Sequence, residues 1–359
     1  MWVLYLQVPD CILLFNEKKL NVLALLHQKT KRRAFSTLQV GVRVQPPMMS
    51  PNMSVYPVFS AALTLETLKL SPPNNYLAFI FGTLTYLTIV VCNIVVLSVI
   101  VTSKELHKPM YILLFNMPLN DLVGATAFFP QMVFSLLSQN IFISHIACIL
   151  QAFLIHLYGA GALLILTVMA YDRYVAICKP LRYNSIFTNS YLIKLIILMW
   201  TVDFSLILIL FTLLTRPKIC RTEIMDPYCN NPALVKLTCG DTRINNYYGL
   251  FITAFFQGLS LSVVIYTYVQ ILIACVSSTN RTNARSKALQ TCATHLVVFL
   301  IFEITILFNV LAYRIQGLST GLHKFFGVMM LTFPPFVNPL IYGLKTKEIK
   351  QKITIVFCK

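Results

Sequence analysis

Charge is the scarcest property of this chain. Asp and Glu together number 12 in 359 residues, and charged residues of all kinds make up 11%, against 57% hydrophobic. With a mean hydropathy of +0.73, that balance excludes a soluble globular domain, in which about a quarter of residues are charged. No His/Cys set at metal-ligand spacing, phosphate-cradling glycine loop or nucleophile motif occurs, so nothing points to an enzyme, a metal or a cofactor. Related halves with paired broken helices, which would suggest a transporter, are missing too. So are the short segments of alternating polarity that a membrane barrel needs.

What the chain does have is long apolar runs. Seven can cross roughly 30 Å of hydrocarbon, which takes about 20 apolar residues: 76–101, 110–137, 146–171, 191–214, 247–276, 288–312 and 325–344. Backbone groups find no water in lipid, so each run is predicted to be helical. The expected fold class is an all-α membrane protein, a seven-transmembrane helix bundle with a short amphipathic C-terminal helix. Its expected parts are an N-terminal extension (1–53), the seven-helix domain (54–345) and a tail (346–359).

The net charge of +17 comes from short Lys/Arg clusters between the runs rather than from one basic face, which argues against nucleic acid as a partner. Lys104, Lys108, Arg173, Lys179, Arg182, Lys194, Arg285 and the tail lysines Lys345, Lys347, Lys350 and Lys352 fall on one side of the alternating connections. By the positive-inside rule that side faces the cytoplasm, with the C-terminus inside and the N-terminus outside. The tail lysines are expected to meet anionic membrane lipid, and Cys358 is either palmitoylated or a free thiol. Cys148, Cys220, Cys229 and Cys239 all fall on the outer side; four cysteines allow three pairings, and spacing does not choose among them. Asn52 heads an outer glycosylation sequon, and Asn280 heads one expected inside and unmodified. Residues 1–50 are too short in apolar length to span and too basic for the outer side. The favoured reading is a translation start placed too far upstream, with Met48, Met49 or Met53 as alternatives.

Ionisable groups inside a bilayer are costly and mark function by default. Asp121 lies near the midplane of the second run, either as an ion or water site or as a carboxyl bonded to Asn93 and other polar groups. Asp172 and Arg173 close the third run. They are either a boundary pair or a switch in which the guanidinium leaves its neighbour for a partner. Pro339 interrupts the seventh run and is predicted to kink it, with Asn338 helping to satisfy the freed backbone.

"LHKPMY" (Leu106–Tyr111), "MAYDRYVAICKPLRY" (Met169–Tyr183), "SKALQTCATHL" (Ser286–Leu296) and "NPLIYGLKTKEI" (Asn338–Ile349) together resemble the odorant receptors, a branch of the rhodopsin-like G-protein-coupled receptors, over about residues 54–355. The resemblance implies a plasma-membrane receptor, in olfactory cilia, that takes a small odorant in its outer half and raises cyclic AMP through a stimulatory heterotrimeric G protein. It implies that Asp172, Arg173 and Tyr174 form the inner lock and G-protein contact. Asn338, Pro339 and Tyr342 match the seventh-helix switch, and Tyr268 matches the fifth-helix tyrosine that meets Arg173 in the active state. It also implies disulfides Cys148–Cys229 and Cys220–Cys239.

One departure stands out. Where the family has Phe-Tyr-Gly, this chain has Phe302-Glu303-Ile304. Glu303 lies about 24 Å above Lys287 along the helix and His156 about 12 Å below Cys148, so both are expected in the outer half. The expected ligand-binding residues are His156 and Glu303 as polar contacts, Gly159 and Ala160 as space, and Phe256, Ile306, Leu307 and Val310, with Phe255, as apolar lining. Glu303 is otherwise a carboxyl bonded internally, to His156 or Asp203 among others. The alternative function is a non-olfactory rhodopsin-like receptor for an amine or other small polar ligand, held by Glu303.

Overall fold

The computed structural model describes residues 62–66, 72–138, 141–276, 283–314 and 320–357. The expectations for residues 1–53, including Asn52, and for Asn280 and Cys358 lie outside the described residues. Among the described residues, seven helices are long and apolar enough to cross a membrane. These are α1 (Pro72–Thr102), α2 (Pro109–Leu137), α3 (His145–Cys178), α4 (Asn189–Leu214), α5 (Arg243–Val276), α6 (Asn283–Ala312) and α7 (Thr320–Lys345), and an eighth, α8 (Lys347–Phe357), follows.

Local chemistry starts these helices where the chain leaves its turns. Ser144 caps α3 by accepting from the Ala147 amide at 3.2 Å, and Thr188 caps α4 by accepting from Tyr191 at 3.3 Å. Pro109 opens α2, where its missing N–H costs nothing. Helix α3 is the hub, packing against α2, α4, α5 and α6. Tyr158, Phe128, Phe129 and Phe302 are fully buried between helices, whereas Leu77, Ile80, Phe81 and Leu84 of α1 are exposed on the bundle's outside. Apolar residues on that outer surface suit a lipid solvent.

Four features go beyond the sequence expectations. A small sheet in the order β2-β1-β3 joins three separate connections: β1 (Ala62–Leu65) pairs antiparallel with β2 (Ile141–Ser144) and parallel with β3 (Glu223–Ile224). Its pairing is non-local, so no sequence period announces it. The Lys324 ammonium of α7 meets Glu66 beside β1 at 2.7 Å. Helix α3 also runs to Cys178, beyond the apolar run ending at Tyr171, because helical hydrogen bonding continues after hydrophobicity stops; Asp172 and Arg173 therefore sit within the helix. In α8, Ile349 is buried and the Lys352 ammonium lies 3.0 Å from Glu105, which ties the tail helix to the turn between α1 and α2.

Helix α7 carries Pro334, Pro335 and Pro339. Pro339 cannot donate to the Pro335 carbonyl four residues back. Asn338 was expected to relieve this, but Asn93 of α1 does so instead, its amide donating to Pro335 O at 3.1 Å and to Ile89 O at 2.9 Å. Asn93 therefore does not partner Asp121. Pro334 likewise frees Met330 O, to which Tyr158 of α3 donates at 3.4 Å. Asn338 reaches Asp121 of α2, donating to both carboxylate oxygens at 3.1 and 3.0 Å.

Asn93→Leu is expected to leave the Pro335 carbonyl without a donor and to cost about 1–3 kcal/mol. Thermal unfolding of the purified protein in detergent should show the lowered midpoint, and an unchanged midpoint would remove Asn93 from the account of α7.

Candidate functional site

At the end of the bundle that carries the α4–α5 connection, α3, α5, α6 and α7 part around a cavity of about 150 Å³. Helix α3 contributes Ile155, His156, Gly159 and Ala160, α5 Ile252, Thr253, Phe256 and Gln257, α6 Ile306, Asn309 and Val310, and α7 Met330. Gly159 makes room, since a Cβ there would come within 2.9 Å of the Met330 methyl. The His156 Nδ1 lies 2.8 Å from the Ala152 carbonyl. A carbonyl only accepts, so Nδ1 holds the proton and Nε2 of the neutral ring is the acceptor. The ring packs edge-on to Phe211 at 5.4 Å. Asn309 donates to Thr305 O at 3.0 Å, while its buried Oδ1 has no partner among the described residues.

The connection between α4 and α5 roofs this cavity with Tyr228, Asn230 and Pro232, beside Tyr313 at the end of α6. Disulfide Cys148–Cys229 anchors the roof to α3, and Cys220–Cys239 closes the loop on itself. Gln151 reinforces the anchor: its Oε1 accepts from the Cys229 amide at 2.8 Å and its Nε2 donates to Ala127 O at 2.9 Å. A short helix, Asn231–Lys236, is capped by Asn230, which accepts from the Ala233 amide at 2.8 Å. The Asn230 amide donates to the Tyr313 hydroxyl at 2.6 Å, and that hydroxyl donates to Asp226 at 3.2 Å. Burial first, then neighbouring Tyr228 and Asp226, hold the Tyr313 hydroxyl well above the usual phenol range; burial and Asp226 do the same to Tyr228. Both stay protonated donors at neutral pH.

Of the residues expected around a ligand, His156, Gly159, Ala160, Phe256, Ile306 and Val310 line the cavity. Leu307 and Phe255 do not; both are exposed on the outer side of the bundle. The reason is angular. Ile306, Asn309, Val310 and Tyr313 follow the three-and-four spacing of one helical face, and Leu307 lies about 100° away from Ile306. Asn309 and Tyr313 were thus legible from that spacing, and Gln257 from its place beside Phe256. Tyr228, Asn230 and Pro232 arrive on a loop and carry no periodic signal beyond adjacency to Cys229.

Glu303 also lies outside the lining. Its carboxylate accepts from Ser260 of α5, and its backbone carbonyl accepts from Gln257 at 3.3 Å. Glu303 thus pins α6 to α5 just below the cavity, and it partners neither His156 nor Asp203. Asp203 is fully buried on α4, and its oxygens approach the space beside Gly161 that a Cβ would fill.

At the opposite end of the bundle, Arg173 Nε lies 3.7 Å from Asp172, whose other oxygen accepts from Tyr183 at 2.7 Å. Tyr174 is buried, with Tyr266 at 5.7 Å and the Lys179 ammonium 5.4 Å above its ring. The Tyr268 hydroxyl is held on α6, 2.9 Å from Cys292 O and 2.8 Å from His295 Nδ1. The Tyr342 hydroxyl of α7 is buried and unpartnered among the described residues. Arg173, Tyr268 and Tyr342 therefore lie at the same end of the bundle, with no hydrogen bond joining them among the described residues.

Comparison with known proteins adds to this geometry. Residues 82–359 match a family model described as "Olfactory receptor". The chain is 35% identical over 276 residues to Olfactory receptor 52K2 of Homo sapiens, covering 76% of this chain and 88% of that protein. It is 34% identical over 267 residues to Olfactory receptor 52K1 of Homo sapiens, covering 74% and 85%. To Olfactory receptor 1E16 of Mus musculus it is 30% identical over 293 residues, covering 81% and 93%.

Because Glu303 bonds to Ser260 rather than facing the cavity, Glu303→Gln should keep the order of preference among ligands, while Glu303→Leu should cost about 0.5–1.5 kcal/mol of stability by removing the α5–α6 hydrogen bond, Ser260 falling back on the Gln257 carbonyl at 3.0 Å. A ligand panel run on both variants checks this, and a reordered preference in the glutamine variant would place the acid back in recognition.

Proposed function

The chain belongs to the olfactory receptor family and is an odorant-sensing G-protein-coupled receptor of the plasma membrane with seven spanning helices, not an enzyme; from this we propose that the odorant binds in the cavity between His156 and Asn309 and that the receptor activates a stimulatory, olfactory-type G protein. Cyclic AMP is the expected messenger. The observation that carries this reading is the roofed cavity itself. An apolar cavity of about 150 Å³ accepts a molecule of benzene size, and here two polar groups add direction: the His156 Nε2 acceptor and the unpartnered Asn309 oxygen. The ligand class that suits them is small and mostly apolar, with a hydrogen-bond donor.

Among the described residues, the cavity wall contains no Asp, Glu, Lys or Arg. An amine would need an acid in that wall, and the one candidate, Glu303, is bonded to Ser260, which favours the odorant reading over the amine receptor.

The mechanism is a population shift. A ligand that binds better when α5, α6 and α7 close around it favours that arrangement by its differential affinity. Gln257 lines the cavity and donates to Glu303, so occupancy reaches the α5–α6 contact in one step. The same two helices carry Tyr268 and its Cys292 and His295 partners at the inner end. Release of Tyr268 from α6 and of Arg173 from Asp172 would open the inner face to the G protein, with Asn338, Pro339 and Tyr342 moving on α7. In this reading the N-terminus is outside and the C-terminus inside, with α8 lying along the anionic inner leaflet of an olfactory cilium.

His156→Ala and Asn309→Ala should each raise the half-maximal odorant concentration about tenfold, the worth of one hydrogen bond. Arg173→Ala should abolish ligand-evoked cyclic AMP at unchanged surface expression. A cyclic AMP assay with an odorant panel measures all three, and full output from the Arg173 variant would sink the proposed coupling.

A further inference from the structure

A second cavity, of about 400 Å³, opens on the outer loop between α4 and α5, with Arg221, Glu223, Asp226 and Lys236 in its wall. Its frame is rigid. The Cys220–Cys239 disulfide closes it, the Cys220 and Arg221 amides donate to Leu237 O at 2.9 and 3.1 Å, and Thr64 of β1 donates to Thr222 O at 2.8 Å. Arg221 and Glu223 therefore leave a backbone held on both sides, both are exposed, and among the described residues neither forms an ion pair. An exposed pair would gain little by closing on itself, so the two opposite charges on this concave wall stay open to a ligand.

We propose that this outer chamber binds a small zwitterion carrying both an ammonium and a carboxylate, of the size and chemistry of a free amino acid. Arg221 and Glu223 offer this wall one exposed cation and one exposed anion, so a lone anion or cation would meet repulsion as well as attraction, whereas a dipolar molecule can match both signs. The volume falls in the range of small-ligand sites, with room for bridging water.

The chamber also shares a wall with the odorant cavity. Asp226 and Lys236 line the outer side, Asn230 and Tyr313 the inner. Tyr313 joins them, donating to Asp226 and lying beneath the Lys236 ammonium at 5.4 Å. A zwitterion that draws Lys236 or Asp226 toward itself loosens Tyr313 over the odorant cavity. The site is thus coupled to odorant response; this coupling, unlike the binding, rests on the odorant reading above.

The test uses the full-length receptor in lipid nanodiscs and saturation-transfer NMR with L-glutamine as probe, with acetate and methylammonium as its single-charge halves. Saturable L-glutamine binding is expected, weakened about tenfold in Arg221→Gln and in Glu223→Gln, with the halves binding at least about tenfold more weakly still than L-glutamine. Both variants alter exposed residues, and their unfolding midpoints should match the parent. No saturable signal, equal binding of the halves, or unchanged binding in both variants would overturn the site. No odorant enters this measurement, so its failure is separable from failure of the receptor reading. In cells, L-glutamine should shift the odorant response of the parent and leave Tyr313→Phe unshifted; binding without any shift would overturn the coupling alone.

Discussion

In hydrocarbon every backbone carbonyl must find a donor within the protein, and helix α7 breaks that rule by its own sequence. Pro334 and Pro339 remove the amides that Met330 and Pro335 would have bonded. Tyr158 of α3 and Asn93 of α1 supply the missing donors, and Asn338, one residue before the second of these prolines, reaches Asp121 of α2. A weakness inside one helix thereby becomes its attachment to three others. Small residues allow the fit: a Cβ on Gly124 of α2 would lie 2.5 Å from the Tyr158 ring.

These attachments lie between the cavity lined by His156 and Asn309 and the end of the bundle that carries Arg173. Tyr158 follows the cavity residues Ile155 and His156 on α3, and Met330 lines the cavity while its carbonyl takes the Tyr158 hydroxyl. Helices α5 and α6 are joined differently, by side chains at two levels: Glu303 with Ser260 and Gln257 above, and Tyr268 with Cys292 and His295 below. Hydrogen bonds of this kind have alternative partners, whereas packed apolar contacts resist sliding. The bundle thus holds α7 through backbone repair and α5 against α6 through exchangeable polar contacts.

The roof has another origin. Two disulfides, the Gln151 bridge and the small β2-β1-β3 sheet hold the loop before α5 over the cavity. Its polar residues then divide into two sets, Asn230 and Tyr313 lining the cavity beneath, Asp226 and Lys236 lining the loop chamber. A buried hydroxyl that stays protonated joins the two, so the partition is a hydrogen-bonded network rather than a hydrophobic plug.

Several helices were legible with limits close to those observed, because a run of about 20 apolar residues has only one stable form in lipid. The one-sided Lys and Arg clusters, the short motifs around Arg173 and Asn338, and the face carrying His156, Gly159 and Ala160 were readable for the same reason: each is local, set by length, charge or helical period. Glu303 was placed at the right depth but assigned to the wrong neighbour, since depth along a helix does not say which helix it faces. Leu307 was misplaced by one position in helical phase. Asn93 was linked to Asp121 when its partner proved to be a carbonyl that only a proline on another helix could free. The sequence by itself determined the number of crossings, their lengths and the polar groups buried within them, because the bilayer imposes those on any chain. Only the tertiary structure decided which donor meets which acceptor, because pairings between helices depend on rotation and packing that no single helix encodes.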